Sequence, residues 1–198
     1  MKTIGIIGAG NIGKIVAAHL LKNNIPVMIS NSRGPETLKE TIAALGKGVK
    51  AVTTAEAAKA DIVLLAIPWS KVKELAKSTD LQGKIVIDPT NHFTPDHQVE
   101  DLGGLASSEV VQGYFPGARL VKAFNTLVNK DLAEDSVVGK GHRVLFISGD
   151  DQEAKAKVSE LISAIGYAPI DLGSLAVGSK YQQAKGVFLA VNLIKLQD

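Results

Sequence analysis

Three glycines constrain this chain more than any other feature. Gly8, Gly10 and Gly13, in the run Gly8-Ala9-Gly10-Asn11-Ile12-Gly13, follow an apolar β-branched segment and open a stretch of helical periodicity. In a strand-turn-helix setting each has its own task. Gly8 makes the tight turn, Gly10 lets backbone approach a pyrophosphate, and Gly13 lets the helix pack close to the strand. The unpaired N–H groups at the helix start then face the anion. Outside that setting the pattern is only a glycine-rich turn. The stretch from Gly8 to Lys14 also satisfies GxxxxGK, the opening of a P-loop, but Ile15 stands where a P-loop needs Ser or Thr to hold Mg²⁺. That residue argues against phosphoryl transfer.

The rest of the chain repeats the alternation. Short Ile/Val/Leu runs at 3–7, 26–30, 49–53, 62–66, 84–88, 120–124 and 143–148, with a weaker one near Pro169, alternate with helical stretches. This is the pattern of a parallel sheet wrapped by crossover helices. Most of the runs read as buried, continuous Ile/Val/Leu rather than alternating, as expected when helices cover both faces. The expected fold is therefore α/β, a Rossmann-type, doubly wound, mostly parallel sheet. It forms one domain over 1–198, with a core over 1–126 and a strand and helix extension over 127–198. Thr53-Thr54-Ala55-Glu56 reads as a capping box, Ser70 as the cap of a helix over 71–77, and Asp150-Asp151-Gln152-Glu153 as the start of a helix reaching Ile165. The irregular stretch 89–104 has the length of a functional loop. Tyr181, Ala184, Val187, Phe188, Val191 and Ile194 recur at helical spacing. They predict a final amphipathic helix that packs on its own domain or on a second subunit, and a homodimer is the expected assembly.

Composition closes off several function classes. With 198 residues, 45% hydrophobic and 21% charged, the chain can bury a full core and is not disordered. It has no cysteine, so neither thiolate chemistry nor a zinc ribbon is available, and no metal site is expected. A net charge of +2 lacks the clustered basic face of a nucleic-acid binder. The apolar run 62–69 is far short of the ~18 residues of a membrane span. The N-terminal apolar stretch is broken by Gly5, Gly8 and Gly10, unlike a signal peptide. A cytoplasmic address is the expectation.

The choice of dinucleotide is legible at the end of the second strand. A site preferring NAD carries Asp or Glu there for the ribose 2′-OH. Here the chain reads Ser30-Asn31-Ser32-Arg33, with no acid between Pro26 and Pro35. Two polar side chains and a guanidinium suit a doubly charged 2′-phosphate. The expected cofactor is NADP(H), the competing reading being an Arg on a solvated turn.

Taken together, the glycine motif, Ser32-Arg33, Ile67-Pro68-Trp69, Val121-Lys122-Ala123-Phe124-Asn125-Thr126, and Ser148-Gly149-Asp150-Asp151 with Asp171-Leu172-Gly173-Ser174-Leu175 resemble the NADP-dependent F-420 reductase family. They are also similar to the cytosolic reductase domain of the six-transmembrane metalloreductases. The resemblance covers nearly the whole chain. It implies NADPH across the carboxyl ends of the strands and hydride transfer to a small-molecule redox acceptor, F-420 or a flavin such as FMN or FAD. It further implies that Asn31, Ser32 and Arg33 hold the 2′-phosphate. Ile67 and Pro68 would line the dinucleotide, and Ala123, Phe124, Asn125 and Thr126 would lie near the nicotinamide and its acceptor.

Other residues carry two readings each. Asp88 and Asn91 flank Pro89-Thr90 where ligands bind in open α/β sheets, or they form a turn held by Asx hydrogen bonds. Trp69 packs in the core or stacks on the cofactor. His92 and His97 lie in the long loop, His19 reads as packing, and Asp150 and Asp151 read as a helix start. Lys71, Lys73 and Lys77 read as a wet helix face. No catalytic acid–base pair is evident, in keeping with hydride transfer between stacked rings. The alternatives are a reductase of a small imine or keto acid and an NADPH-binding sensor without turnover.

Overall fold

In the computed structural model, which describes residues 2–196, the first apolar run forms β1 (Ile4–Ile7), buried throughout. There follow α1 (Asn11–Lys22), β2 (Val27–Ser30), a 3-10 turn at Pro35–Leu38, α2 (Lys39–Leu45), β3 (Val49–Ala51), α3 (Thr54–Ala57), β4 (Ile62–Leu65), α4 (Trp69–Ala76), β5 (Ile85–Asp88), α5 (Ser107–Tyr114) and β6 (Arg119–Lys122). Then come α6 (Asn129–Ala133), β7 (Val137–Val138), β8 (Gly141–Gly149), α7 (Gln152–Ala164), β9 (Ala168–Asp171), α8 (Leu175–Gln182) and β10 (Ile194–Leu196). Among the described residues no helix is long and apolar enough to cross a membrane.

The sheet runs β10-β8-β6-β5-β4-β1-β2-β3, with β7 and β9 also paired to β8. From β6 to β3 every pairing is parallel. The chain leaves β1 in one direction through β2 and β3 and returns on its other side with β4, so the strand order reverses between β1 and β4. In open α/β sheets that crevice is where ligands bind. Both sheet faces are covered, which is why the strands lack polar alternation. Ile4, Ile6, Ile29 and Leu64 pack with Val16 and Leu20 of α1, while Ile7, Val63, Leu65 and Val86 pack with Val72 of α4 and Val111 of α5. Each such fully buried side chain contributes about 1.5–3 kcal/mol of burial free energy.

Two of the expected helix starts are present. The Thr53 hydroxyl accepts the Glu56 N–H at 3.2 Å, and the Glu56 carboxylate accepts the Thr53 N–H at 2.8 Å. Asp151 caps α7, its Oδ1 accepting the Ala154 N–H at 2.9 Å, and the Arg119 guanidinium grips the same carboxylate at 2.7 and 2.8 Å. Arg119 and then the Ala154 N–H hold the Asp151 carboxyl at about 2, against an ordinary 3.8. A depressed carboxylate contributes stability above its unfolded value and loses it as pH falls through the folded value. Asp151→Ala is therefore expected to cost about 1 kcal/mol at pH 7, and the difference should narrow between pH 4 and 2. Urea titrations across that range check this.

Two expectations are corrected. Ser70 is not a cap: α4 starts one residue earlier, at Trp69, with Pro68 in the capping position. The apolar positions from Tyr181 to Ile194 do not continue as a helix either. The last helix stops at Gln182, Gln183 is extended, and Lys185 and Ala190 adopt left-handed backbone with φ of 65° and 61°. Gly186 lies so close to the Lys180 and Tyr181 carbonyls that a Cβ would collide with them. Phe188 is stacked on Phe146 with ring centroids 4.2 Å apart, and Ile194 to Leu196 pair antiparallel with Gly141 to Arg143. The helical spacing does not mark one helix: Ala184 is buried, Phe188, Val191 and Ile194 are partly buried, and Tyr181 and Val187 are exposed, so these positions form no continuous helix face.

Candidate functional site

The glycine loop joins β1 to α1 at the reversal of strand order. Gly8 has φ +114°, and a Cβ there would collide with the Ala66 carbonyl; a Cβ on Gly13 would collide with the Gly8 carbonyl. These two glycines are therefore required by the fold itself. At Gly10 a Cβ would meet nothing within 4 Å, so that position faces open space. Gly10 precedes α1 without any side-chain cap, and no acid occurs in the first turn. The helix start thus offers N–H groups and a positive dipole end to an anion.

In front of this loop lies a groove of about 790 Å³, lined by Gly8, Ala9, Gly10, Asn31, Ser32, Arg33, Ile67 and Pro68 among others. Asn11, Ile12 and Gly13 form the first turn of α1 behind it. The residues after β2 hold one another: Asn31 Oδ1 accepts the Arg33 N–H at 3.0 Å, and Asn31 Nδ2 donates to Thr37 Oγ1 at 2.8 Å. The Thr37 hydroxyl donates to the Gly34 carbonyl at 2.7 Å. Asn31 is thus engaged in shaping the turn, while the Arg33 guanidinium pairs with no carboxylate among the described residues.

The other expected site residues lie outside the groove lining. Trp69 is buried against Val72 and Val111, and its Nε1–H donates to Glu100 Oε2 at 2.5 Å, which decides for packing. Ala123, Phe124, Asn125 and Thr126 follow β6 and are all buried, Phe124 with a left-handed φ of 63°. Asn91 Nδ2 donates to the Asn125 carbonyl at 3.0 Å, and Asn125 Nδ2 donates to Asn91 Oδ1 at 3.1 Å and to the Gln182 carbonyl at 2.8 Å. Gln182 Nε2 donates to the Phe146 carbonyl at 3.0 Å, and the Ser148 hydroxyl donates to Gln182 Oε1.

Beside this chain of amides sits a buried ion pair that sequence reasoning missed. Lys122 Nζ lies 3.4 Å from Asp88 Oδ2, and both side chains are 0% exposed. Lys122 also donates to the Thr90 carbonyl at 2.9 Å and to Ser107 Oγ at 3.2 Å. Asp88 accepts the Thr90 N–H at 2.9 Å, the Thr90 hydroxyl at 2.6 Å and the Ser108 hydroxyl at 2.6 Å. The Asx turn is thus real, and Asp88 serves the structure. Burial pushes the Lys122 ammonium below its ordinary pKa, and the Asp88 charge pulls it back up.

His92 is buried, edge-on to Trp69, and its Nδ1 is the one buried side-chain nitrogen or oxygen without a partner among the described residues. Burial, and then the Lys122 charge, hold its imidazole below 6.5. His97 sits in an exposed turn with φ 63°. His19 is core packing, its Nε2 2.7 Å from the Leu132 carbonyl. Lys71, read as a wet helix face, lines the groove and pairs with Glu74 at 3.0 Å. Thr37, Leu38 and Thr41 also line it, positions with no signal of their own beyond following Gly34-Pro35.

Comparison with known proteins gives this geometry relatives. Over 98% of its length the chain superposes on a protein of Sinorhizobium meliloti described as hypothetical, with 44% identity, TM-score 0.93 and 96% of that chain covered. It is 26% identical, over 88% of its length and 86% of the other chain, to a protein of Arthrobacter sp. FB24 provisionally named an F420-dependent NADP-reductase, TM-score 0.72. It is 32% identical over 176 residues to Metalloreductase STEAP3 of Rattus norvegicus, a match that covers 87% of this chain. The chain spans 34% of that metalloreductase's length. Residues 3–92, from β1 through the switch point to the end of β5, match the family model described as NADP oxidoreductase, coenzyme F420-dependent. Over residues 3–92 this Rossmann-type chain thus carries the pattern of a family of NADP-dependent oxidoreductases.

Proposed function

We propose that this chain binds NADP(H) in the groove and passes hydride between the nicotinamide and a deazaflavin such as F-420, or a flavin. The observation that carries the cofactor reading is the Arg33 guanidinium, unpaired beside Ser32 at the end of β2, in a turn that contains no acid. The loop and the groove fit an extended dinucleotide. The open space at Gly10 admits a pyrophosphate against bare N–H groups. Ile67 and Pro68 supply an apolar wall across from it.

NADPH supplies the hydride. The chain supplies position: the polar lattice of Asn91, Asn125 and Gln182 and the Lys122–Asp88 pair hold the ends of β5, β6 and β8 in fixed relation. Transfer between stacked rings depends mainly on such orientation. The acceptor class rests on the family resemblance, and the test is NADPH oxidation on addition of F-420 or FMN. Steady oxidation with either supports the proposal; tight NADPH binding without oxidation by either overturns it in favour of a non-catalytic sensor.

Arg33→Ala checks the cofactor half. Charge-assisted hydrogen bonds to a phosphate are worth about 1.5–3 kcal/mol, roughly ten- to a hundredfold in affinity. NADPH is expected to weaken by that factor in calorimetric titration, while NADH stays nearly unchanged. Equal loss of both would make Arg33 a support of the turn.

A further inference from the structure

The lysine that completes the GxxxxGK pattern is left without a task once the P-loop reading fails. In the structure it is not idle surface, because the Lys14 side chain lines the same groove as Gly10, Ser32 and Arg33. Some lysines have acids to pair with: Lys22 with Asp135, Lys71 with Glu74, Lys157 with Glu160. Lys14 has none. The sequence of α1, Asn-Ile-Gly-Lys-Ile-Val-Ala-Ala-His-Leu-Leu-Lys, contains no acid at any position, and Lys14 pairs with no carboxylate among the described residues. The one carboxylate lining the groove, Glu74, is bound to Lys71.

Direction separates Lys14 from Arg33. Long side chains on a helix lean back toward its N-terminus, over the preceding turn. From one turn inside α1, Lys14 therefore reaches back over Gly10 and the uncapped N–H groups. Arg33 instead projects from the end of β2, a different wall of the groove. A cation above an uncapped helix start, on a loop held open by a glycine with free space in front of it, is built for a phosphate that both can touch. We infer that Lys14 is a second phosphate-binding residue, pairing with the pyrophosphate that every nicotinamide dinucleotide carries, while Arg33 serves the 2′-phosphate. The inference deepens the NADP(H) reading and rests on it. It divides affinity between two cations: Lys14 sets how tightly any dinucleotide binds, and Arg33 sets which one is preferred.

The test is calorimetric titration of wild type, Lys14→Met, Lys14→Arg and Arg33→Ala with NADPH and with NADH. Lys14 is exposed, so Lys14→Met is expected to fold, with an unchanged thermal midpoint as the check. Lys14→Met should weaken both cofactors by the same factor, about five- to tenfold for one exposed charge-assisted contact, and keep the wild-type NADPH-to-NADH ratio. Lys14→Arg should restore most of the loss, and the deficit of Lys14→Met should shrink as salt rises. Unchanged affinity for both cofactors in Lys14→Met would overturn the inference, as would a loss confined to NADPH, which would move Lys14 to the 2′-phosphate. Failure of wild type to bind NADPH would instead sink the underlying cofactor reading.

Discussion

Gly10→Val is expected to leave the protein folded and to abolish its binding of nicotinamide dinucleotides. The two halves of that outcome have separate causes. Gly10 has φ −77°, a conformation open to any residue, and a Cβ there meets no atom within 4 Å. The thermal midpoint should therefore move little. The same empty space is the one a pyrophosphate must enter, and a branched side chain fills it. Affinity for NADPH and NADH alike should fall by at least about a hundredfold, since contacts to the helix-start N–H groups are lost together. Matching substitutions at Gly8 or Gly13 should damage folding instead, because their Cβ atoms would strike backbone. Thermal denaturation beside calorimetry separates the cases. A folded Gly10→Val variant that binds NADPH normally would remove the glycine loop from the site.

Lys122→Met should be strongly destabilising. It keeps the length and apolar stem of the side chain but leaves Asp88, 0% exposed, without its cation. It also strips donors from the Thr90 carbonyl and Ser107 Oγ. Breaking one side of a buried pair costs about 3–5 kcal/mol, whereas replacing both sides often costs far less. The double variant with Asp88→Leu should therefore be more stable than the sum of the two single losses requires, a coupling readable from urea midpoints. A cost under about 1 kcal/mol for Lys122→Met would mean that the pair contributes little to the fold.

Much of the architecture was legible because the core strands are rich in Ile, Val and Leu with little polar alternation, and the observed strands fall within a residue or two of those runs. The two strands that escaped notice have no such signature. Val137–Val138 is two residues long, and Ile194–Leu196 is defined by its partner Gly141–Arg143 rather than by its own composition. Spacing misled at the C-terminus because Phe188 and Val191 fit a helical period as readily as a turn. Only the left-handed residues Lys185 and Ala190, which no local pattern announces, decide between them.

The groove could be read from its glycines and from Arg33, since both carry a chemistry tied to their type and place. The buried polar lattice after β5 and β6 could not. Lys122 lies inside an apolar run and its partner is 34 residues away. Asn91 and Asn125 find each other across the same separation, and only the β5–β6 register brings these pairs together. Trp69 illustrates the limit within one residue, because burial and stacking are equally natural to an indole until Glu100 is seen to accept its N–H.

The long strand β8 has a structural consequence. It gathers β7, β9 and β10, yet it joins the parallel sheet only where Val121 meets Gly149 and Lys122 meets Ser148. That two-pair ladder is a short seam between the parallel strands and the later elements. It is reinforced where the Gln182 carbonyl of α8 accepts from Asn125 just beyond β6 and where one apolar core spans Val121, Leu145, Ile147 and Val158. The groove, built wholly from residues 7–78, lies on one side of it. The fold thus keeps the whole lining of the groove within the first part of the chain, away from the seam that joins the later elements.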